Sequence, residues 1–209
     1  MPFRFIGIAL VGGKSSRMGQ NKALLKLPSG ISLADKALEV LKGVKIPAEI
    51  EACYLSGGLE GYPSIPDIVL DKGPLGGIYS CISALSSGEE NLVFVFIPVD
   101  MPAITPALLE QLLFSLTPRS LVSHFSGEQF PVAIRVTKAV INLLEKRLLD
   151  CLERNFSVKA FLADLEILEA GSVVKVDKAS VDMNFYGNFF NANTPNEWQY
   201  FLKESSHEC

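Results

Sequence analysis

Leu10-Val-Gly-Gly-Lys-Ser-Ser-Arg-Met-Gly-Gln-Asn-Lys22 follows a short apolar run, Phe5 to Val11, that reads as a buried first strand. Gly12 and Gly13 let the backbone turn sharply and approach phosphate oxygens with no Cβ in the way. Lys14, Arg17 and Lys22 supply cationic donors, and Gly19 allows a second bend. No Asp or Glu precedes Asp35, whereas Arg4, Lys14, Arg17, Lys22 and Lys26 all do. In a chain of net charge −4, a purely basic first strand and loop suits a polyanion. A Gly/Ser surface loop with ordinary lysines is the plainer alternative, but loops this long without periodicity are usually functional or disordered. Two common phosphate motifs are excluded. A Walker A loop would need glycine five residues before Gly13, where Ile8 stands. The dinucleotide fingerprint fails because Gly12-Gly13 is followed by Lys14 and then by no glycine until Gly19.

The 209 residues suit one α/β domain spanning 1–209 with a single substantial core. Apolar residues make up 48% and charged residues 20%, the balance of a compact enzyme. No run approaches the roughly 18–20 apolar residues of a membrane span. The N-terminal Met-Pro-Phe-Arg-Phe enters a strand directly, without the cleavage region of a signal peptide, so the expected setting is cytoplasmic. Cys53, Cys81, Cys151 and Cys209 form no C-x-x-C pair and only His124 and His207 exist, which argues against zinc. The acidic balance argues against nonspecific nucleic-acid binding.

Strands alternate with helices beyond the loop. Ser32 can cap a helix with Ala34, Leu38 and Leu41 on one face. Ile50 to Leu55 reads as a strand closed by Ser56-Gly57-Gly58, Ile65 to Leu70 as a third strand, and Gly76 to Leu85 as a helix. Leu92 to Val99 is a continuous apolar run, the mark of a strand buried on both faces. Thr105 and Pro106 start another helix. Leu121 to His124 and Val132 to Val136 read as paired strands around a Ser126-Gly127 turn. Thr137 to Leu152, Ser157 to Leu165 and Pro195 to Lys203 read as helices, while Glu166 to Val176 is weakly patterned. The fold class is α/β: a three-layer, Rossmann-like arrangement around a mostly parallel central sheet. Ligands then bind at the carboxyl ends of the strands, where the basic loop lies.

Three further segments carry chemistry. Asp71-Lys-Gly-Pro-Leu-Gly-Gly77 places a carboxylate and close-approach glycines between strand and helix, although an ordinary turn with a solvated Asp would read alike. Pro98-Val-Asp-Met-Pro102 puts Asp100 at the end of the most apolar strand. One carboxylate plus substrate phosphates is how proteins usually hold Mg²⁺; the alternative is an Asp capping the helix near Thr105. Phe190-Asn-Ala-Asn-Thr-Pro195 offers two amides, which donate to phosphate and accept from ring nitrogens, or else a helix cap at Asn193 or Thr194. His124 is either ligand-facing or a structural strand-end histidine.

Together these blocks resemble the molybdenum cofactor guanylyltransferases, among the nucleotidyltransferases with a glycosyltransferase-A-like (nucleotide-diphospho-sugar transferase) fold. The family loop runs roughly L-A-G-G-x-S-x-R-M-G-x-D-K; here Val11 replaces Ala and Asn21 replaces Asp. Asp71 to Gly77 is similar to its D-x-G-P-L-x-G block, Pro98 to Pro102 to its P-C-D-x-P with Val99 for Cys, and Phe190 to Pro195 to its F-x-N-x-N-T-P. Many relatives carry a basic or strongly polar residue before the proline of the acceptor-side loop, where this chain has Glu128-Gln129-Phe130-Pro131. The resemblance covers nearly the whole chain. It implies transfer of GMP from GTP to the phosphate of molybdopterin, with Mg²⁺ as cofactor. Arg17, Lys22 and Asp100 would be catalytic, with Asp100 also the metal ligand. Leu10, Val11, Gly12, Gly13, Lys22, Ser56, Asp71 and Asp100 would contact the nucleotide, and Gly76, Gly77, Asn191 and Asn193 the second substrate. Other cofactor-assembly proteins and recipient molybdoenzymes would be partners. A molybdopterin cytidylyltransferase on the same fold is the near alternative. A nucleotide-binding adaptor that delivers cofactor without catalysis is the distant one, and it would predict a damaged loop or metal site.

Overall fold

The computed structural model describes residues 2–11, 21–45, 47–86, 88, 91–149, 155–178, 189–192 and 194–205. Seven strands form one sheet: β1 (Arg4–Leu10), β2 (Ile50–Ser56), β3 (Ser64–Ile65), β4 (Leu92–Pro98), β5 (Val122–Phe125), β6 (Val132–Arg135) and β7 (Val173–Val176). Their order is β3-β2-β1-β4-β6-β5-β7. Only β6 runs against its neighbours. The α-helices among the described residues are α1 (Leu33–Gly43), α2 (Gly73–Leu85), α3 (Pro106–Phe114), α4 (Lys138–Leu149), α5 (Val158–Leu168) and α6 (Pro195–Ser205).

β4 explains the layering. Val93, Val95 and Ile97 bury into one face of the sheet with α1, α3 and Trp198 of α6. Leu92, Phe94 and Phe96 bury into the other with α2, α4 and α5. A strand covered on both sides has no polar alternation, which is why its sequence is continuously apolar. Local chemistry sets the helix starts. Ser32 and Asp35 form a reciprocal capping box at α1. Thr105 Oγ1 accepts from the Leu108 N–H ahead of Pro106. The buried Arg147 ties α4 to α5 by donating to Asp164 Oδ2 (2.8 Å) and to the Asn155 carbonyl (2.7 Å).

Four elements depart from the sequence reading. The third strand is Ser64–Ile65 rather than Ile65 to Leu70, since Pro66 has no N–H to continue a ladder. α2 begins at Gly73, with Pro74 in its first turn, three residues before the expected Gly76. α5 runs on to Leu168. The weakly patterned stretch to Val176 contains β7, which pairs in parallel with β5; as an edge strand of four residues it carries too little periodicity to be read. Among the described residues no helix is long and apolar enough to cross a membrane.

The C-terminal helix packs through aromatics. Trp198 and Phe201 stack at 5.9 Å between centroids, and Phe190 and Phe201 at 6.2 Å. Trp198 is 7% exposed, so Trp198→Ala should lower unfolding free energy by about 3–5 kcal/mol. Denaturant titration checks this; a loss below about 1 kcal/mol would mean that α6 is held by other contacts.

Candidate active site

β2, β1, β4 and β5 end at one edge of the sheet, and β6 begins there. Every expected site residue among those described belongs to this edge or to the segments that leave it. Leu10 ends β1 and Ser56 ends β2, and the two are paired across the sheet. The Val99 N–H donates to the Leu10 carbonyl at 3.1 Å, so the turn after β4 folds over the end of β1. Asp100 therefore arrives beside the segment that leaves β1.

Lys22 Nζ lies 3.2 Å from Asp100 Oδ2, with the side chains 18% and 21% exposed. Lys22 opens a single turn of 3-10 helix, Lys22–Leu24, whose cap is Asn21: its side-chain oxygen accepts from the Ala23 N–H at 3.1 Å. The residue that stands where the resembling family has Asp thus caps the turn bearing Lys22 while adding no charge. Val11 packs against the α1 side of the core. Gly12, Gly13, Lys14 and Arg17 lie outside the described residues, as does Asn193.

Asp100 is also joined to the C-terminal segment, because the Ala192 N–H donates to its carbonyl at 2.9 Å. This bond brings Asn191 next to the Asp100 turn. The cap of α6 is Thr194: its N–H and hydroxyl donate to Glu197 Oε2, and the Glu197 N–H donates back to Thr194 Oγ1. Asn191, whose amide reaches the Phe189 carbonyl at 3.3 Å, takes no part in that cap. The local-capping explanation is thus met by threonine.

On the β2 side, sequence reasoning passed over a residue. Asp71 is exposed, with a left-handed φ of 59° at the approach to α2. The carboxylate that turns toward the strand ends is Asp67, four residues earlier. A Cβ built on Gly77 would lie 3.3 Å from Ser56 Oγ, 3.4 Å from Leu10 Cδ2 and 3.6 Å from Asp67 Oδ1. Ser56 Oγ and Asp67 Oδ1 are both buried without a hydrogen-bond partner. Each of these atoms needs a partner that the described residues do not supply, a water or a ligand group. Ser80 fixes the geometry, its hydroxyl accepting from the Ile68 N–H (2.9 Å) and donating to the Gly76 carbonyl (2.7 Å). Gly76 itself has a packing reason, since a Cβ there would sit 2.8 Å from the Val69 carbonyl oxygen. The Ile-Pro-Asp67 tripeptide has no distinctive spacing, so only the fold shows where its carboxylate goes.

Burial pushes the Asp67 pKa up. It also pushes the Cys53 thiol up to about 11 and the Cys81 thiol to about 12, which leaves both protonated and poorly nucleophilic near neutral pH. Among the described residues no group of three or more His, Cys, Asp or Glu side chains gathers as a metal site. Asp100 as a single-carboxylate ligand fits Mg²⁺, which takes most of its ligands from phosphate and water.

A mostly parallel sheet that gathers Lys22 and Asp100 at the carboxyl ends of its strands has the ligand edge of an open α/β fold. Residues 7–165 match the family model for the MobA-like NTP transferase domain, and the chain belongs to that family. It is 30% identical over 199 residues, 95% of each chain, to a molybdenum cofactor guanylyltransferase of Xanthomonas euvesicatoria. The crystal structure of molybdopterin-guanine dinucleotide biosynthesis protein A from Archaeoglobus fulgidus superposes with a TM-score of 0.68 at 20% identity, over 97% of this chain and 99% of that one. A 4-diphosphocytidyl-2C-methyl-D-erythritol synthase from Anaerococcus prevotii gives the same TM-score at 12% identity, over 98% and 96% of the two chains. One fold therefore hosts proteins of different names, and the nucleotide base must be read by individual residues.

Because the folded-state pKa of Asp67 is raised, its ionised form opposes folding above that pKa. The penalty fades as pH falls through the folded pKa toward the ordinary carboxylate range. Asp67→Asn should raise the melting temperature near pH 7, with the gain over wild type shrinking on acidification. A pH-independent difference would show that Asp67 is not held against its charge.

Proposed function

We propose that this protein transfers GMP from GTP to the terminal phosphate of molybdopterin, or of its molybdenum-loaded form, releasing pyrophosphate. The carrying observation is the order of groups along the sheet edge: Ser56 and Asp67, then Leu10 and Lys22, then Asp100 with Asn191. That order supports a reading with the base at the first group, the reacting phosphates at the second and the acceptor at the third. An oxygen of the acceptor phosphate attacks the α-phosphorus in line, and the bond to the β-phosphate oxygen breaks with its electron pair leaving on pyrophosphate. The attacking oxygen is already anionic, so no strong general base is needed. Catalysis rests on positioning and on neutralising charge.

Lys22 stabilises charge at the α-phosphate and leaving group, joined by Arg17 as the family resemblance implies, while amides near Gly12 and Gly13 cradle oxygens. Asp100 is the residue that would hold Mg²⁺, and the ion would supply positive charge to offset that of the phosphates. Guanine presents adjacent N–H donors at N1 and N2, and the two carboxylate oxygens of Asp67 accept such a pair; cytosine presents one donor group on that edge. Asp67 is thus better placed than Asp71 to choose the base, with Ser56 beside it. Gly77 faces the same cluster, and Asn191 and Asn193 serve the acceptor phosphate. The setting is the cytoplasm, with other cofactor-assembly proteins and recipient molybdoenzymes as partners.

GTP with Mg²⁺ should raise the melting temperature well above the shift given by CTP at equal concentration, since a ligand of the native state stabilises it. An equal or larger shift with CTP would move the protein to cytidylyl transfer. Lys22→Ala should fold normally and lose on the order of 10²–10³ in turnover; an unimpaired rate in a GMP-transfer assay would remove Lys22 from the chemistry.

A further inference from the structure

His124 occupies the same edge on the acceptor side. It is the penultimate residue of β5, 7% exposed. Strand alternation puts it on the face of Val122 and Val132, which is the α2, α4 and α5 face that also holds Leu10. Three strand spacings of about 4.8 Å separate β5 from β1, so His124 stands about 14 Å along the edge from Leu10. The Asp100 turn and the start of β6 lie between them.

Its ring has a defined proton arrangement. Nδ1 lies 2.8 Å from the Glu128 carbonyl and 3.0 Å from the Phe125 carbonyl. Both oxygens only accept, so Nδ1 carries the proton, and in the neutral ring Nε2 is a lone-pair acceptor. Nε2 is buried and has no partner. The Nδ1–H bond holds a turn already closed by the Glu128 N–H on the Phe125 carbonyl (2.9 Å). That turn leads through Gln129, whose Oε1 accepts from the Lys159 N–H (3.3 Å), to Phe130 and Pro131. The pairing of Val132 with Phe96 brings this loop beside Pro98, two residues before Asp100. Glu128 also forms an ion pair with Lys178, whose ammonium lies 4.8 Å from the Phe189 ring centroid. The loop that His124 holds is thus met by β4, α5, Lys178 and Phe189. If His124 served only to hold the turn, it would do so at the cost of a buried unpaired acceptor at Nε2, about 1–3 kcal/mol, which a serine donor would largely avoid.

We propose that His124 binds the second substrate: its Nε2 accepts a hydrogen bond from an N–H donor on the nitrogen-rich ring of the acceptor, while Nδ1–H holds the Glu128–Pro131 loop against it. This assignment rests on the GMP-transfer reading above. It gives the loop a polar, neutral recognition atom in place of the basic or strongly polar residue that many relatives carry before the proline. A site built to meet a donor discriminates strongly against ligands that lack one.

Ring ¹⁵N spectra of histidine-labelled protein test it directly, because the chain has two histidines and His207→Gln assigns them. In the free protein, Nδ1 of His124 should be protonated and Nε2 should resonate as an unprotonated nitrogen. Saturating GTP with Mg²⁺ should leave Nε2 in place, and molybdopterin added anaerobically should shift it as expected for a nitrogen that gains a hydrogen bond. An unmoved Nε2 with molybdopterin bound, or a proton on Nε2 in the free protein, overturns the proposal. In parallel, His124→Asn keeps a donor toward Glu128 but deletes Nε2. It should raise the KM for molybdopterin about tenfold and leave GTP affinity unchanged, whereas a purely structural role would be rescued in full. If neither GTP nor molybdopterin binds the wild type, the functional reading falls and takes this assignment with it. If both bind and Nε2 is silent, the assignment alone falls.

Discussion

The ion pair between Lys22 and Asp100 exists because β1 and β4 are parallel neighbours whose ends coincide. Leu10 pairs with Pro98, and the hydrogen bond from Val99 to Leu10 locks the two exits together. At that shared exit Lys22 meets Asp100, 78 residues away in sequence. Everything else in the cleft is arranged around that meeting. The pair also keeps both charges compensated in a partly buried place, where an unpaired charge would be costly.

Around this centre the sheet separates two tasks. β2, the segment after β3 and the start of α2 bring together Ser56, Asp67 and Gly77, with Ser56 Oγ and Asp67 Oδ1 buried and unpaired. β6, β5 and the segment before α6 present the Glu128–Pro131 loop, His124 and Asn191. The reversal of β6 matters here. By running against β4, it brings a loop rather than a strand terminus to the ligand edge, and that loop is braced by α5, Lys178 and both core layers. Asn191 reaches the centre by a different route, through the aromatic packing of α6 and the Ala192 bond to Asp100. The deep anchoring of Trp198 is therefore tied to the placement of a polar residue at the site.

Much of the fold was legible because burial leaves periodic marks. The unbroken apolar run of β4, the Ser32 and Thr105 caps, and the hairpin around Gly127 all read correctly from local chemistry. The third strand was overextended because apolar residues beyond Pro66 pack without a ladder. β7 was missed because an edge strand of four residues carries almost no pattern. The sequence marks Leu10, Lys22 and Asp100 as candidates through short spacings of glycine, cation and carboxylate, and the fold brings the last two within 3.2 Å of each other. Asp67 carried no such spacing. Its importance lies in facing Ser56 and Gly77, which no window of sequence contains.

The sequence by itself determined the alternation of strands and helices, the basic loop after the first strand and the single carboxylate after the most buried one. These follow from hydrophobic periodicity and from residue chemistry, both local properties. Only the tertiary structure decided which groups meet. It turned Asp67 toward Ser56 and Gly77, gave Thr194 the cap of α6, joined Ala192 to the Asp100 carbonyl, and paired the Nδ1 proton of His124 with a loop carbonyl while leaving the buried Nε2 without a partner. The reason is physical: strand order and register set distances between residues far apart in the chain, and hydrogen-bond satisfaction can be judged only once those distances exist.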